Sequence, residues 1–109
     1  MFGQIHFDLL KKIDFNSALY FSAFMSCRTI YNTSVMMNCS PSTVSVMIKR
    51  FCSYFSEPLL EHKGRTLKPT AYARVLDKEI RKVLHNFHFL LTSVEYVSVT
   101  GLRKHAVIN

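Results

Sequence analysis

A mainly α-helical chain carrying one short β-hairpin is what this sequence predicts, and three observations predict it. Apolar residues recur at steps of three and four along most of its length, the spacing of helices with one buried face. Ser40-Pro41 opens one of these segments with a capping hydroxyl and a proline, a helix start signal. Midway, residues 59–61 and 66–68 are short strand-like runs set around His62-Lys63-Gly64-Arg65, where Gly64 supplies the positive φ of a tight hairpin.

Composition bounds what the elements can build. The chain has 109 residues, enough for one domain with a modest core, and its 49% hydrophobic and 19% charged content excludes a disordered tail. Net charge is +7, and nine of the fourteen Lys and Arg residues fall between Lys49 and Lys82 with only four acids, so five of the seven net charges lie there. Such clustering favours a polyanionic partner. Cys27, Cys39 and Cys52 are odd in number and lack CxxC spacing, which argues against a disulfide framework or a zinc site and fits a reducing cytoplasm. Lys11 and Lys12 follow the first apolar residues instead of preceding them, unlike a secretory signal. The twenty uncharged residues 29–48 include Asn32, Asn38, Pro41 and several hydroxyls, which is no membrane span.

In chain order, residues 1–12 are short and apolar and read as an N-terminal arm or short helix. Asp14 then offers a cap, and Phe15, Ala18, Phe21 (or Ser22) and Met25 recur at helical spacing, with Leu19 and Phe24 beside them. They predict a helix over 15–27 whose aromatics are core. A short helix over 30–37 and a turn at 38–40 lead to the segment 40–55. There Val44, Ile48, Phe51 and Phe55 form the inward stripe, and Ser42, Ser45, Lys49 and Arg50 the outward face. Two short helices joined by such a turn form a helix-turn-helix. Hydroxyls at the front of the second helix and cations behind suit docking on phosphates with side chains in a DNA groove; an ordinary amphipathic helix would show the same stripe. Lys63 and Arg65 tip the hairpin as a basic wing, and Pro69 closes its second strand. Thr70 caps the longest helix. Ala73, Leu76, Ile80, Val83, Phe87, Leu90 and Val94 step 3, 4, 3, 4, 3, 4 along it, a heptad seam over about 35 Å. That seam calls for a partner, a second copy being the economical one; it can also pack back on the first helix in part. Residues 93–100 alternate like a strand, and the chain ends in a tail.

This order of motifs resembles the N-terminal DNA-binding domain of LysR-type transcriptional regulators, from Ile13 to Thr70 without a gap and on to about Thr92. Asp14-Phe15-Asn16 with Phe21 stands where that family has its Asp-Leu-Asn-Leu-Leu-like start. Ser40-Pro41-Ser42-Thr43-Val44-Ser45 is similar to its Thr-Pro-Ser-Ala-Val-Ser. Glu57-Pro58-Leu59-Leu60, His62, Gly64, Arg65 and Pro69-Thr70 follow its wing in order. There are departures. Thr33-Ser34 replaces a small Ala-Ala pair, Val35 and Met36 fill positions usually charged, Val46 and Met47 stand where Arg, Gln or Ser is common, and His62 replaces the wing Arg.

The resemblance implies a winged helix-turn-helix (three helices and a two-stranded wing) over residues 13–69, a linker and dimerisation helix over 70–92 and a C-terminal tail over 93–109; the small-molecule effector domain that full members carry after the linker helix is the largest departure and is expected to be absent here. It implies a cytoplasmic regulator that binds double-stranded DNA as a homodimer and is neither an enzyme nor a cofactor protein. Ser42, Thr43, Ser45, Val46 and Lys49 would face the major groove, and Val46 can read a thymine methyl. Ser40, Arg50, Lys63, Arg65 and Lys68 would hold phosphates, with His62 in the wing. Ala73, Leu76, Ile80, Val83, Phe87, Leu90 and Val94 would join the subunits. The rival reading is an interaction module that pairs with or docks on another regulatory protein through the linker helix and an apolar patch of Val35, Met36, Val46 and Met47. Catalysis is not supported: His6, His62, His85 and His88 are scattered, His85-x-x-His88 lacks a third ligand, and no glycine-rich phosphate loop or nucleophile elbow is present.

Overall fold

The computed structural model describes residues 3–93. In chain order these form α1 (Phe7–Leu10), α2 (Phe15–Cys27), α3 (Ile30–Met37), α4 (Pro41–Cys52), β1 (Leu60–Lys63), β2 (Thr66–Pro69) and α5 (Ala71–Ser93). The strand expected over 93–100, the tail and Val94 lie outside the described residues, apart from Ser93, which ends α5.

Local capping explains where the helices start and stop. Asp14 caps α2 by accepting the Asn16 N–H at 3.0 Å, Thr29 caps α3 from Asn32 at 3.0 Å, and Ser40 caps α4 from Thr43 at 3.1 Å. Arg28 (φ 74°) and Asn38 (φ 54°) turn into the left-handed region and end α2 and α3. The recognition-type helix α4 stops at Cys52, not at residue 55 as the apolar stripe predicts. Ser53 Oγ donates to the Arg50 carbonyl at 2.6 Å, and the N–H groups of Tyr54 and Phe55 donate three residues back. This tightens the end into turns, yet Phe55 still reaches the core, 5.1 Å from the Phe51 ring.

The core is two adjoining clusters. Phe21, Phe51, Leu59 and Ala73 form one, and Phe24, Val44 and Ile48 the other, with Cys52 and Leu60 touching both. Phe15 and Leu19 correct the expectation that the α2 aromatics and their neighbours are all core: both are exposed, because the buried face of α2 runs through Ser17, Phe21 and Phe24. Thr33 and Ser34, in place of two alanines, are buried where α3 packs against its neighbours. Each hydroxyl donates to a carbonyl of its own turn, Thr33 to Thr29 at 2.7 Å and Ser34 to Tyr31 at 2.6 Å, so no donor is stranded.

The hairpin pairs Leu60 with Pro69, Glu61 with Lys68, His62 with Leu67 and Lys63 with Thr66, leaving Gly64-Arg65 as a two-residue turn. Lys63 is therefore in β1 and not in the turn. Gly64 has φ 65°, and a Cβ there would meet nothing within 4 Å. Gly64→Ala is thus expected to cost only backbone strain, about 1–2 kcal/mol, measurable by urea unfolding. The Thr70 N–H donates to the Leu59 carbonyl at 3.0 Å, the Thr70 hydroxyl to the Pro58 carbonyl at 2.9 Å, and the same oxygen accepts the Ala73 N–H at 3.1 Å. One threonine stitches the base of the hairpin to the start of α5.

Candidate nucleic-acid interface

Helix α4 buries Val44, Ile48 and Phe51 and leaves Ser42, Thr43, Ser45, Val46 and Lys49 exposed. The five residues expected at a DNA groove therefore share the outward side of one capped helix. At its front the Ser40 hydroxyl lies 3.1 Å from that of Ser42 and 3.0 Å from that of Thr43. Val46 is 53% exposed, enough to offer a methyl surface to a base. Val35 and Met36 on α3 are exposed as well, while Met47 is half-buried.

The wing is anchored by the same core. Leu60 and Leu67 pack against the cluster that holds Val44 and Ile48, so hairpin and α4 are fixed to one body. Strand alternation then sorts the basic residues. Lys63 and Lys68 share the face of Glu61 and Thr66, whereas His62 shares the Leu60 and Leu67 face. All of His62, Lys63, Arg65 and Lys68 are exposed, but His62 is on the opposite face of the hairpin from Lys63 and Lys68.

The cations divide by their partners. Lys49, Lys63, Arg65 and Lys68 belong to none of the ion pairs among the described residues. Arg50 differs: its Nη1 donates to Asp14 Oδ2 at 2.7 Å. That bond from Arg50 lowers the Asp14 pKa below the usual carboxylate value, outweighing partial desolvation. A depressed folded pKa stabilises the fold above the unfolded carboxylate pKa, about 3.9, and that stabilisation is lost as pH falls through the lower folded value. At neutral pH the Asp14 carboxyl is ionised.

The seam of α5 divides in two. Ala73 is fully buried in the protomer's own core, and Leu76 and Ile80 pack against the same cluster. Those three face inward and hold α5 to its own domain. Beyond them Val83, Phe87 and Leu90 are 59%, 57% and 55% exposed. A groove of about 960 Å³ opens here between α2 and the distal half of α5, lined by Phe15, Leu19, Leu84, Phe87, His88 and Leu91 among others. Arg81 stands between the two halves. It donates from Nε to Asp77 Oδ2 at 2.9 Å and from Nη2 to the Ser22 carbonyl at 3.1 Å, and it also reaches the Ser26 hydroxyl. Asp77 is buried, and its Oδ1 has no hydrogen-bond partner.

Two of these features were hidden in the sequence for different reasons. Asp14 and Arg50 are 36 residues apart, and no local pattern pairs them. Asp77 and Arg81 stand at i and i+4, a readable helix pair, but their tie to α2 depends on tertiary packing. The three cysteines are free, and burial pushes the Cys52 thiol pKa up. Among the described residues there is no cluster of metal-ligating side chains, and no helix is long and apolar enough to cross a membrane.

Known proteins share this arrangement. No family model matches the chain. Over 80 residues it is 32% identical to the uncharacterized HTH-type transcriptional regulator YbeF of Escherichia coli (strain K12), covering 73% of this chain and 25% of that protein. Over 74 residues it is 31% identical to nodulation protein D 2 of Bradyrhizobium sp. (strain NC92), covering 68% and 22% respectively. The chain thus spans about a quarter of the length of these relatives. In fold it is similar to a probable transcriptional regulator, PA0477, from Pseudomonas aeruginosa, with a TM-score of 0.68 and 24% identity over 77% of this chain and 28% of that one. Motif order, wing and long helix agree with these matches: the homologues of this chain are HTH-type transcriptional regulators of the LysR type, and it matches their N-terminal part.

Proposed function

We propose that this chain is a cytoplasmic, sequence-specific DNA-binding transcriptional regulator that acts as a homodimer. The observation that carries this reading is the disposition of α4 and the wing on one core. The exposed face of α4 enters the major groove with Ser42, Thr43, Ser45, Val46 and Lys49. Ser40, Lys63, Arg65 and Lys68 hold phosphates on either side, with His62 at the wing edge. Lys49 and the three wing cations belong to none of the ion pairs among the described residues, which leaves them available to phosphates. The dimer forms through the distal seam, Val83, Phe87 and Leu90, continued in sequence by Val94. The groove lined by Phe15 and Leu19 then adds apolar surface from the reading domain to the interface.

Fluorescence anisotropy with duplex DNA over a salt series tests this. Each phosphate contact adds about 0.9 to the slope of log affinity against log salt. Lys63→Ala and Arg65→Ala are each expected to reduce the slope by about 0.9 per subunit contact while leaving the thermal midpoint unchanged. Unchanged slopes in both variants would remove the wing from the interface.

The exposed apolar residues Tyr31, Val35 and Met36 on α3 favour a second reading, in which the chain pairs with or docks on another regulatory protein and binds DNA weakly or not at all. Such a module shows no anisotropy change with random duplex at low salt.

A further inference from the structure

Arg50 lies on the recognition-type helix, and its charge makes it an obvious phosphate ligand. The geometry points to another role, one that rests on the DNA-binding reading above: Arg50 is a positioning residue that, with Tyr54, clamps the end of α4 to the start of α2 and so aims the groove-facing side chains. Asp14 is the other jaw. Its Oδ1 accepts the Asn16 N–H at 3.0 Å, its Oδ2 accepts Arg50 Nη1 at 2.7 Å, and its own N–H donates to the Tyr54 hydroxyl at 2.9 Å. Two of these three bonds cross to the last turn of α4 and the residues just after it. The guanidinium is braced further by Met47 Sδ at 3.7 Å.

The clamp supplies what the core does not. Val44, Ile48 and Phe51 hold α4 through apolar burial, which is not directional. The charge-assisted bond to Asp14 is directional. Ser42 and Arg50 are separated by about 12 Å along the helix axis. A tilt of about 5° at the clamp would therefore move the hydroxyl front by about 1 Å, enough to break hydrogen bonds to base edges. A phosphate that captured Arg50 would instead break its bond to Asp14 and release the end of α4. Lys49, next to it, is in no ion pair and serves phosphates or bases without that cost.

The test compares two duplexes, one enriched from a random pool by the wild-type chain and a shuffled duplex of equal length, by anisotropy over a salt series. The variants are Asp14→Asn, Arg50→Gln, the double variant and Tyr54→Phe. Asparagine caps a helix about as well as aspartate, so Asp14→Asn removes the ion pair and keeps the cap. Tyr54→Phe keeps both charges and removes only the second tie. A clamp predicts that the ratio of specific to non-specific affinity falls about three- to five-fold in each single variant, the size of one ion pair or hydrogen bond. The double variant is no worse than the worse single one, and the salt slope on the shuffled duplex does not change. The ratio is insensitive to the altered net charge, which acts on both duplexes alike. If Arg50→Gln weakens both duplexes equally and lowers the slope by about 0.9 while Asp14→Asn tightens both, Arg50 is a phosphate ligand and the clamp is overturned. Unchanged ratios in all four variants overturn it too. If the wild-type chain binds neither duplex, the DNA-binding reading fails first, and the clamp fails with it.

Discussion

On the proposed dimer, Phe87→Asp combined with Leu90→Asp is expected to leave the chain monomeric at micromolar concentration. Both side chains are more than half exposed in the protomer, so the substitution removes nothing from its own core and the monomer should stay folded, its thermal midpoint falling only by what dimerisation contributed. In a two-fold pair each subunit contributes both residues. Full burial of a large apolar side chain is worth about 1.5–3 kcal/mol. Four such side chains make the seam worth several kcal/mol even when burial is partial, and a carboxylate facing the seam adds a desolvation cost. The expected weakening of self-association is at least about a thousand-fold, read by sedimentation equilibrium. Binding to a duplex with two half-sites should fall in parallel, because the second reading domain is no longer tethered. Leu76→Asp is the contrasting variant: it lies on the same stripe but packs on the core, so it unfolds the protein instead of splitting a dimer. A double Asp variant that still sediments as a dimer would move the interface off the distal seam.

The second large effect is in the core. Phe51 packs on Phe21 at 5.0 Å and on Phe55 at 5.1 Å between ring centroids, with Tyr54 edge-on at 6.2 Å. It joins α4 to α2 and, through Leu59 and Ala73, to the wing base and α5. Truncating a buried Phe to Ala costs about 3–5 kcal/mol, much of the 5–15 kcal/mol that holds a small domain. Phe51→Ala is expected to lower the thermal midpoint by more than about 12 °C, measured by circular dichroism. A shift of only a few degrees would mean that the three elements do not share this centre.

What was readable in the sequence was local. The capping bonds of Asp14, Ser40 and Thr70, Pro41 at the start of α4 and Gly64 in the turn are local features within four residues, and the structure has all of them in those roles. The helices over 15–27 and 30–37 have the bounds that capping and spacing imply. What escaped was set by packing between distant segments. A heptad stripe says which residues line up along α5, but not what each half of the line meets. Ala73, Leu76 and Ile80 face the domain's own core, while Val83, Phe87 and Leu90 are left outside. Phe15 and Leu19 satisfy helical spacing as well as Phe21 does, yet the buried face of α2 runs through Ser17, Phe21 and Phe24 and leaves them exposed. Thr33 and Ser34 read as departures from a small apolar pair, yet they bury without loss because each bonds its own helix backbone. Arg50 read as one more cation of a basic helix until its partner 36 residues away was in view.

The claim that two copies of one charged reading head act together is tested most directly by selecting bound duplexes from a random pool with the wild-type chain and sequencing them. The account predicts an enriched inverted repeat, its half-site centres separated by about one helical turn of DNA or a multiple of it. A pool that does not change over successive rounds, or that converges on a single asymmetric half-site, would contradict it.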